Sequence, residues 1–372
     1  MPLSFENRRL SLSPNGRPPV SLLGKTMIRL QNDYTGGVHP RVLSSLVRAS
    51  KEEYAGYGTD EKTESVRKAV LKACALSSGA VFFVKSGTQA NTAAISFLLK
   101  PTDSVLCAAT GHIATQETGA LAGVGHVVQI LTDSASKVDA KALRAYCRAY
   151  ETDASPSHLT KPAVLYLSFP NELGQTYTLE ELRALSRVCV EHGLYLYIDG
   201  ARLFYGLEAE NSVALADMAR LADVFTIGAT KCGALSAEAV VFRDKDLAHR
   251  FDAHLRRAGA LSARGWVCAV QIEALLKNRL AWRLARTANS KSEKLAEVFS
   301  KAGIAFISQS KTNMQFVRLY PRHVKALRRI CEFQIQRRFE DDSVQARFCT
   351  TWATPPGIIT RIAHALKETC CD

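Results

Sequence analysis

AVLYLSFPNELGQTYTLEELRALSRVCVEHGLYLYID, residues 163–199, reads as an apolar strand, an amphipathic helix and a second apolar strand in succession. Short runs rich in Val, Ile, Leu and Phe that alternate with such helices mark an α/β fold on a mostly parallel sheet. The alternation continues in both directions. Upstream, a helix starts at Thr59, Asp60 and Glu61 and runs through VRKAVLKAC, followed by the strand AVFFV, the helix TQANTAAISFLL and the strand SVLCA. GHIATQETGALA then reads as a helix, VVQIL as a strand and DAKALRAYCRAY as a helix, and downstream DVFTIGAT and AVVF read as further strands.

From about residue 244 to 300 the sequence is helical for a long way, as a helix connecting two domains would be. Beyond Gly303 the pattern becomes IAFIS and MQFVRL as strands, a helix around HVKALRRICEFQI, the strand VQARFCT and a final helix IITRIAHALKETC, together a small α+β unit. The chain of 372 residues is long for one compact unit. Expected boundaries are a flexible basic tail over 1–25, a large α/β domain over 26–260, and a connecting helix with a small C-terminal domain over 261–372.

The chain is 47% hydrophobic and 22% charged, and no apolar run approaches the roughly 20 residues that cross a bilayer. A soluble, cytoplasmic protein without membrane partners is expected. The Ser-, Pro- and Arg-rich first 25 residues weakly resemble a transit peptide, although their prolines interrupt an amphipathic helix. Ten scattered cysteines without a C-x-x-C pair suit a reducing compartment. Cys74, Cys107, Cys189 and Cys268 sit in apolar surroundings and read as core residues; Cys370 and Cys371 lie at the chain end. The formal net charge is +13. Its basic residues from about Arg243 to Arg338 recur around helical stretches rather than in a block with interleaved aromatics, so a solvated basic face, not nucleic-acid binding, is expected.

In an open α/β sheet, ligands bind beyond the carboxyl ends of the strands. Four such positions carry unusual chemistry. In VKSGTQAN (84–91), Ser86, Gly87 and Thr88 lie between a strand and a helix, where backbone N–H groups and the helix dipole attract an anion. In ATGHIATQETGA (109–120), His112 follows a strand and Glu117 lies five residues on; an imidazole there can stack on a pyridine ring or shuttle a proton. In LYLYIDGARLF (194–204), Asp199 ends an apolar strand, and a buried carboxylate needs a partner. A protonated pyridine nitrogen is one such partner and a structural pair with Arg202 another. In VFTIGATKCGAL (224–235), Lys231 follows a strand between Thr230 and Gly233. A lysine becomes an imine-forming nucleophile when desolvation and nearby positive charge lower its pKa.

NDYTGGVHP, YGTDEKT, SGTQAN, HIATQE, DGARL, ATKCGAL and RFCTTWAT, spread from about residue 31 to 354, resemble the low-specificity threonine aldolase and β-eliminating lyase group of fold-type I pyridoxal-phosphate (PLP) enzymes. The resemblance implies the large PLP-binding domain and small C-terminal domain of that fold, and a role for each motif residue. Ser86, Gly87 and Thr88 would hold the phosphate, His112 would stack on the ring, Asp199 would bind the pyridine nitrogen and Lys231, beside Thr230, would carry the cofactor as a Schiff base. Arg202 and Arg347 would bind the substrate carboxylate. Members are dimers or tetramers with shared active sites, so Arg257 or Arg264, in LRRAGALSARG, would approach a partner's phosphate. Asn32 stands where typical aldolases have a serine near the substrate, and NELGQTY, with Asn171 and Glu172, belongs to a less common branch.

The expected reaction is cleavage of a β-hydroxy amino acid, threonine or allo-threonine, to glycine and an aldehyde, with His112, supported by Glu117, as the base and no metal ion. β-Elimination and transamination would use the same cofactor residues.

Overall fold

The computed structural model describes residues 27–132 and 137–368; the basic tail, Cys370 and Cys371 lie outside the described residues. Seven strands form the large sheet: β1 (Ala80–Val84), β2 (Asp103–Ala108), β3 (Val127–Thr132), β4 (Lys161–Ser168), β5 (Tyr195–Asp199), β6 (Val224–Gly228) and β7 (Glu238–Phe242). Their order is β1-β7-β6-β5-β4-β2-β3. The five strands from β6 to β3 run parallel, and β7 lies antiparallel between β6 and β1.

The 163–199 unit forms as its sequence directs. Its helix, Leu179–His192, starts at a capping box in which Thr178 and Glu181 satisfy each other's backbone N–H groups, and stops at Gly193 in the left-handed conformation. Along β4 the side chains alternate between faces, Leu165 and Leu167 entering one apolar cluster and Val164 and Tyr166 another. Both faces carry apolar clusters, so the central strands are largely apolar, and several of their polar residues fall at strand ends. There, Ser168 of β4 pairs in register with Asp199 of β5.

The β5 and β6 ends pass unusually close. A Cβ on Gly200 would lie 2.0 Å from the Thr226 carbonyl oxygen, and one on Gly228 would lie 2.5 Å from that of Ala201. Both walls are backbone, so a side chain has nowhere to go. Gly200→Ala is expected to destabilise the protein by about 1–3 kcal/mol, read as a fall in the urea unfolding midpoint.

A second, antiparallel sheet follows: β8 (Phe306–Ser308), β9 (Met314–Leu319), β10 (Gln334–Arg338) and β11 (Val344–Cys349), in the order β10-β11-β9-β8. It packs with Leu295 and Phe299 of the long helix Leu280–Lys301 and with Ile358, Ile362 and Leu366 of the last helix around a separate apolar cluster. A two-residue parallel ladder joins Ile28–Arg29 to Cys331–Glu332.

Three expectations are corrected. GHIATQETGALA is two single helical turns, His112–Thr115 and Ala120–Gly123, because Thr118 and Gly119 take positive φ between them. The helical stretch after 244 is three helices, Phe251–Arg257, Trp266–Leu276 and Leu280–Lys301, the last two separated by positive φ at Asn278 and Arg279. The helix in HVKALRRICEFQI ends at Leu327; pairing of Cys331–Glu332 with Ile28–Arg29, and stacking of Phe333 on Phe348 at 4.7 Å, draw the rest into strands. The eight described cysteines are free and buried, including the four expected in the core.

Candidate active site

The helix Gly87–Leu98 lays the buried face Ala90, Ala93, Ala94 and Ile95 on the large sheet. These small residues bring its backbone close, and Asn91 on the same face reaches the ends of the strands. The Asn91 amide donates at 2.8 Å to Glu117 Oε1 and at 2.8 Å to Asp199 Oδ2, while its own oxygen accepts from the Tyr197 hydroxyl at 2.8 Å. Asp199 Oδ2 also accepts from the Tyr166 hydroxyl at 2.7 Å, and Oδ1 from the Ala201 N–H at 2.8 Å. Three donors on a carboxylate with about four lone-pair positions leave room for one more. Glu117 Oε1 lies 2.7 Å from His112 Nδ1, and its Oε2 is buried without a partner.

His112, Glu117 and Asp199 bring their ligand atoms within 4.8 Å of one another. The Asn91 N–H₂ points at both carboxylates there, which repels a cation and explains how two acids share the space. Arg202 does not pair with Asp199. Its Nε and Nη2 bind Asp33 at 2.6 and 3.1 Å, and Asn313 donates to the same Asp33 at 3.0 Å. Burial alone would raise Asp33, but the Arg202 charge and these hydrogen bonds hold its carboxyl well below the usual range.

A cleft of about 350 Å³ is lined by His112, Glu172, Arg202, Lys231 and Arg347. Among the described residues no carboxylate forms an ion pair with Lys231. Burial, reinforced by the Arg202 charge, pushes its pKa below the ordinary lysine value against the opposing pull of Asp33, Asp199 and Glu238. The Tyr205 hydroxyl fixes the lysine's backbone by donating to its carbonyl at 2.6 Å, and the Thr230 hydroxyl accepts from the Ala237 N–H at 3.1 Å. Arg347 donates through Nη2 to the Gln31 carbonyl at 3.2 Å, leaving its buried Nε without a partner.

At the first turn of Gly87–Leu98, Ser86 caps the helix by accepting from the Gln89 N–H at 3.3 Å. A Cβ on Gly87 would meet nothing within 4 Å, so the helix start faces open space beside Thr88. An anion cradle, a low-pKa amine, a carboxylate with spare acceptor capacity and two arginines suit a planar, anionic aldehyde with a protonatable ring nitrogen.

Ser86, Gly87, Thr88, Glu117, Asp199 and Thr230 are not among the residues lining the cleft, and neither are two further predicted site residues. Asn32 accepts from the Tyr34 N–H and lines a neighbouring depression with Gln31, Arg328 and Phe333 that shares only Tyr34, Gln334 and Arg347 with the cleft. Arg264 is exposed, as is Arg257, and neither lines the cleft of this chain. Sequence reasoning missed Asn91, Tyr166, Asp33 and Glu238. Glu238, buried on β7, has its carboxyl lifted to about 7 by burial, and its Oε2 is unpaired. Polar residues inside apolar runs were the available signal: Asn91 among alanines, Glu238 at the head of AVVF.

The β-eliminating lyase family model matches residues 32–320. The chain is 30% identical over 304 residues to the low specificity L-threonine aldolase of Pseudomonas aeruginosa, covering 80% of this chain and 86% of that one. The structure of Leishmania major threonine aldolase superimposes with a TM-score of 0.88 at 32% identity, covering 92% of this chain and 99% of that one. YbdL of Escherichia coli, for which a methionine aminotransferase function was identified, superimposes at 0.69 with 13% identity over 92% of this chain and 94% of its own, a likeness of fold alone.

Proposed function

We propose, from the premise that this chain belongs to the β-eliminating lyase family, that it is a PLP-dependent lyase cleaving threonine or allo-threonine to glycine and acetaldehyde. The observation that carries this reading is one cleft lined by Lys231, Arg202, Arg347 and His112, with Asp199 fixed in the hydrogen-bond network behind His112. PLP, when bound, supplies an aldehyde for the amino group and a protonated ring that accepts the electrons released at Cα.

The residues of the chain do the rest. Ser86, Gly87 and Thr88 would hold the phosphate at the helix start. Asp199, its other acceptor positions filled by Tyr166, Asn91 and Ala201, would keep a proton on the ring nitrogen. Lys231, beside Thr230, offers an uncharged amine at a higher fraction than a surface lysine does, because its pKa is depressed. Arg347 and the part of the Arg202 fork not spent on Asp33 would bind the substrate carboxylate and so orient the scissile bond. His112, held at Nδ1 by Glu117, would lie against the ring. In an oligomer, Arg257 or Arg264 would reach a partner's phosphate.

Purified protein incubated with PLP and threonine is expected to release glycine and acetaldehyde in equal amounts. Release of pyruvate from a β-substituted alanine, with neither product from threonine or allo-threonine, would reject the aldolase reading and leave β-elimination.

A further inference from the structure

We propose that Glu172, not His112, is the base that takes the substrate's β-hydroxyl proton. This rests on the aldolase reading above and assigns a catalytic residue that the DGAR, SGTQAN and lysine motifs do not reveal. Among the residues lining the cleft, Glu172 is the only acid, and it shares that lining with the cations Arg202, Lys231, Arg337 and Arg347. One of its oxygens is fixed: Oε1 accepts the His112 backbone N–H at 2.9 Å and the Ser168 hydroxyl at 2.5 Å. No described side chain donates to Oε2, which leaves an acceptor on a carboxylate locked in place at the cleft wall. Ser168 is the last residue of β4, paired with Asp199, so the carboxylate is tied to the same strand ends as the rest of the site.

His112 is less suited to this task. Its Nδ1 is engaged by Glu117, whose carboxylate is itself fixed by Asn91. A ring that lies flat on another presents its π face, while its nitrogen lone pair lies in the ring plane and points out along the ring's edge. A platform and a base acting across the same face therefore compete. Burial raises the Glu172 carboxyl above the ordinary glutamate value, with Ser168 and His112 opposing, which makes it a stronger base near neutrality than an exposed carboxylate.

In the step assigned to it, the β O–H bond breaks and its proton forms an O–H bond on Glu172. The Cα–Cβ bond breaks with its electron pair staying on Cα, and the C–O bond becomes the aldehyde carbonyl. Solvent delivers the proton that completes glycine, and Glu172 returns its own to solvent, so protons and electrons balance.

The test uses holoenzyme carrying Glu172→Gln or Glu172→Asp. Removing a general base costs about 10²–10⁴-fold, so kcat for threonine is expected to fall by that much in Glu172→Gln, with KM within a few-fold. Exchange of the glycine α-proton with D₂O, followed by NMR, needs no β-hydroxyl base and should stay within about three-fold of wild type. The glycine dissociation constant, read from the cofactor absorbance, should likewise hold within about two-fold. Glu172→Asp should recover part of the cleavage, and the acid limb of kcat/KM, expected in the wild type above the ordinary glutamate value, should vanish in Glu172→Gln. Cleavage by Glu172→Gln within about three-fold of wild type would overturn the proposal. So would equal loss of cleavage and glycine exchange, in this variant or, should it not fold, in Glu172→Asp, because that makes Glu172 a support for His112. Wild-type protein that cleaves no β-hydroxy amino acid overturns both this assignment and the aldolase reading; an active wild type with an unimpaired variant overturns this assignment alone.

Discussion

Lys231→Ala is expected to lower threonine cleavage by about 10⁴-fold or more and to abolish covalent capture of the cofactor. Protein purified in the presence of PLP should lose its visible absorption band, and borohydride treatment should leave no cofactor adduct by mass spectrometry. The size of the effect follows from the environment. Lys231 lies in a cleft where burial and the Arg202 charge lower its pKa, with its backbone pinned by Tyr205, and no other lysine lines that cleft. The variant should still fold, because the buried Asp33 carboxylate keeps its bidentate partner Arg202 when the amine is removed. An adduct that persists on Lys85, the exposed lysine beside the Ser86 cradle, would show that a different amine carries the cofactor.

The second large effect concerns stability. Asp33→Ala removes one partner of a bidentate pair in which the carboxylate is fully buried and the guanidinium nearly so, with side-chain exposures of 0% and 12%. Breaking such a pair by removing one partner costs about 3–5 kcal/mol, since the remaining charge stays buried and uncompensated. A fall in the urea midpoint of that equivalent is expected. The pH dependence has a definite sign. Asp33 is held below its unfolded value, so its contribution is complete above the ordinary carboxylate range and is lost as acid protonates the folded form. The stability gap between wild type and variant should be flat from about pH 6 to 9 and narrow below about pH 4. A gap that widens in acid would contradict the pairing. The lysine is affected too: Asp33 pulls the Lys231 pKa up and Arg202 pushes it down, so the variant should release the Lys231 proton at lower pH.

The parts of the fold that local pattern dictates were legible from the chain. AVFFV, for example, reads as a strand and forms Ala80–Val84. The failures have a common cause. HVKALRRICEFQI has a helical pattern of its own, but only its first part is helix; Cys331–Glu332 are drawn into strand by Ile28–Arg29, some 300 residues earlier, and Gln334–Ile335 by Ala346–Arg347. At the site, the motif residues that meet the cleft are legible: Lys231, His112 and Arg202, which follow strand ends, and Arg347, within a strand, all line it. Partnerships were not. Nothing in DGAR tells that Arg202 binds Asp33, 169 positions away, or that Asp199 is served by Asn91 and Tyr166 instead. Asn32 was placed by motif position, but its side chain caps its own turn toward Tyr34 and faces the adjacent depression.

The segment from Ile28 to Asp33 has a consequence for the order in which the protein is made. Leu30 accepts the Cys349 N–H, Gln31 accepts from Arg347 and Asp33 accepts from Asn313, so this early stretch is seated by the last strands of the small sheet. While the ribosome is still short of those strands, the large sheet can already close around its two apolar clusters, yet Arg202 has its counter-charge only half positioned. Asp33 is thus locked only once a residue 280 positions later has been made, and a chain that stops short of Asn313, Arg347 and Cys349 would lack the contacts that seat this stretch beside Arg202.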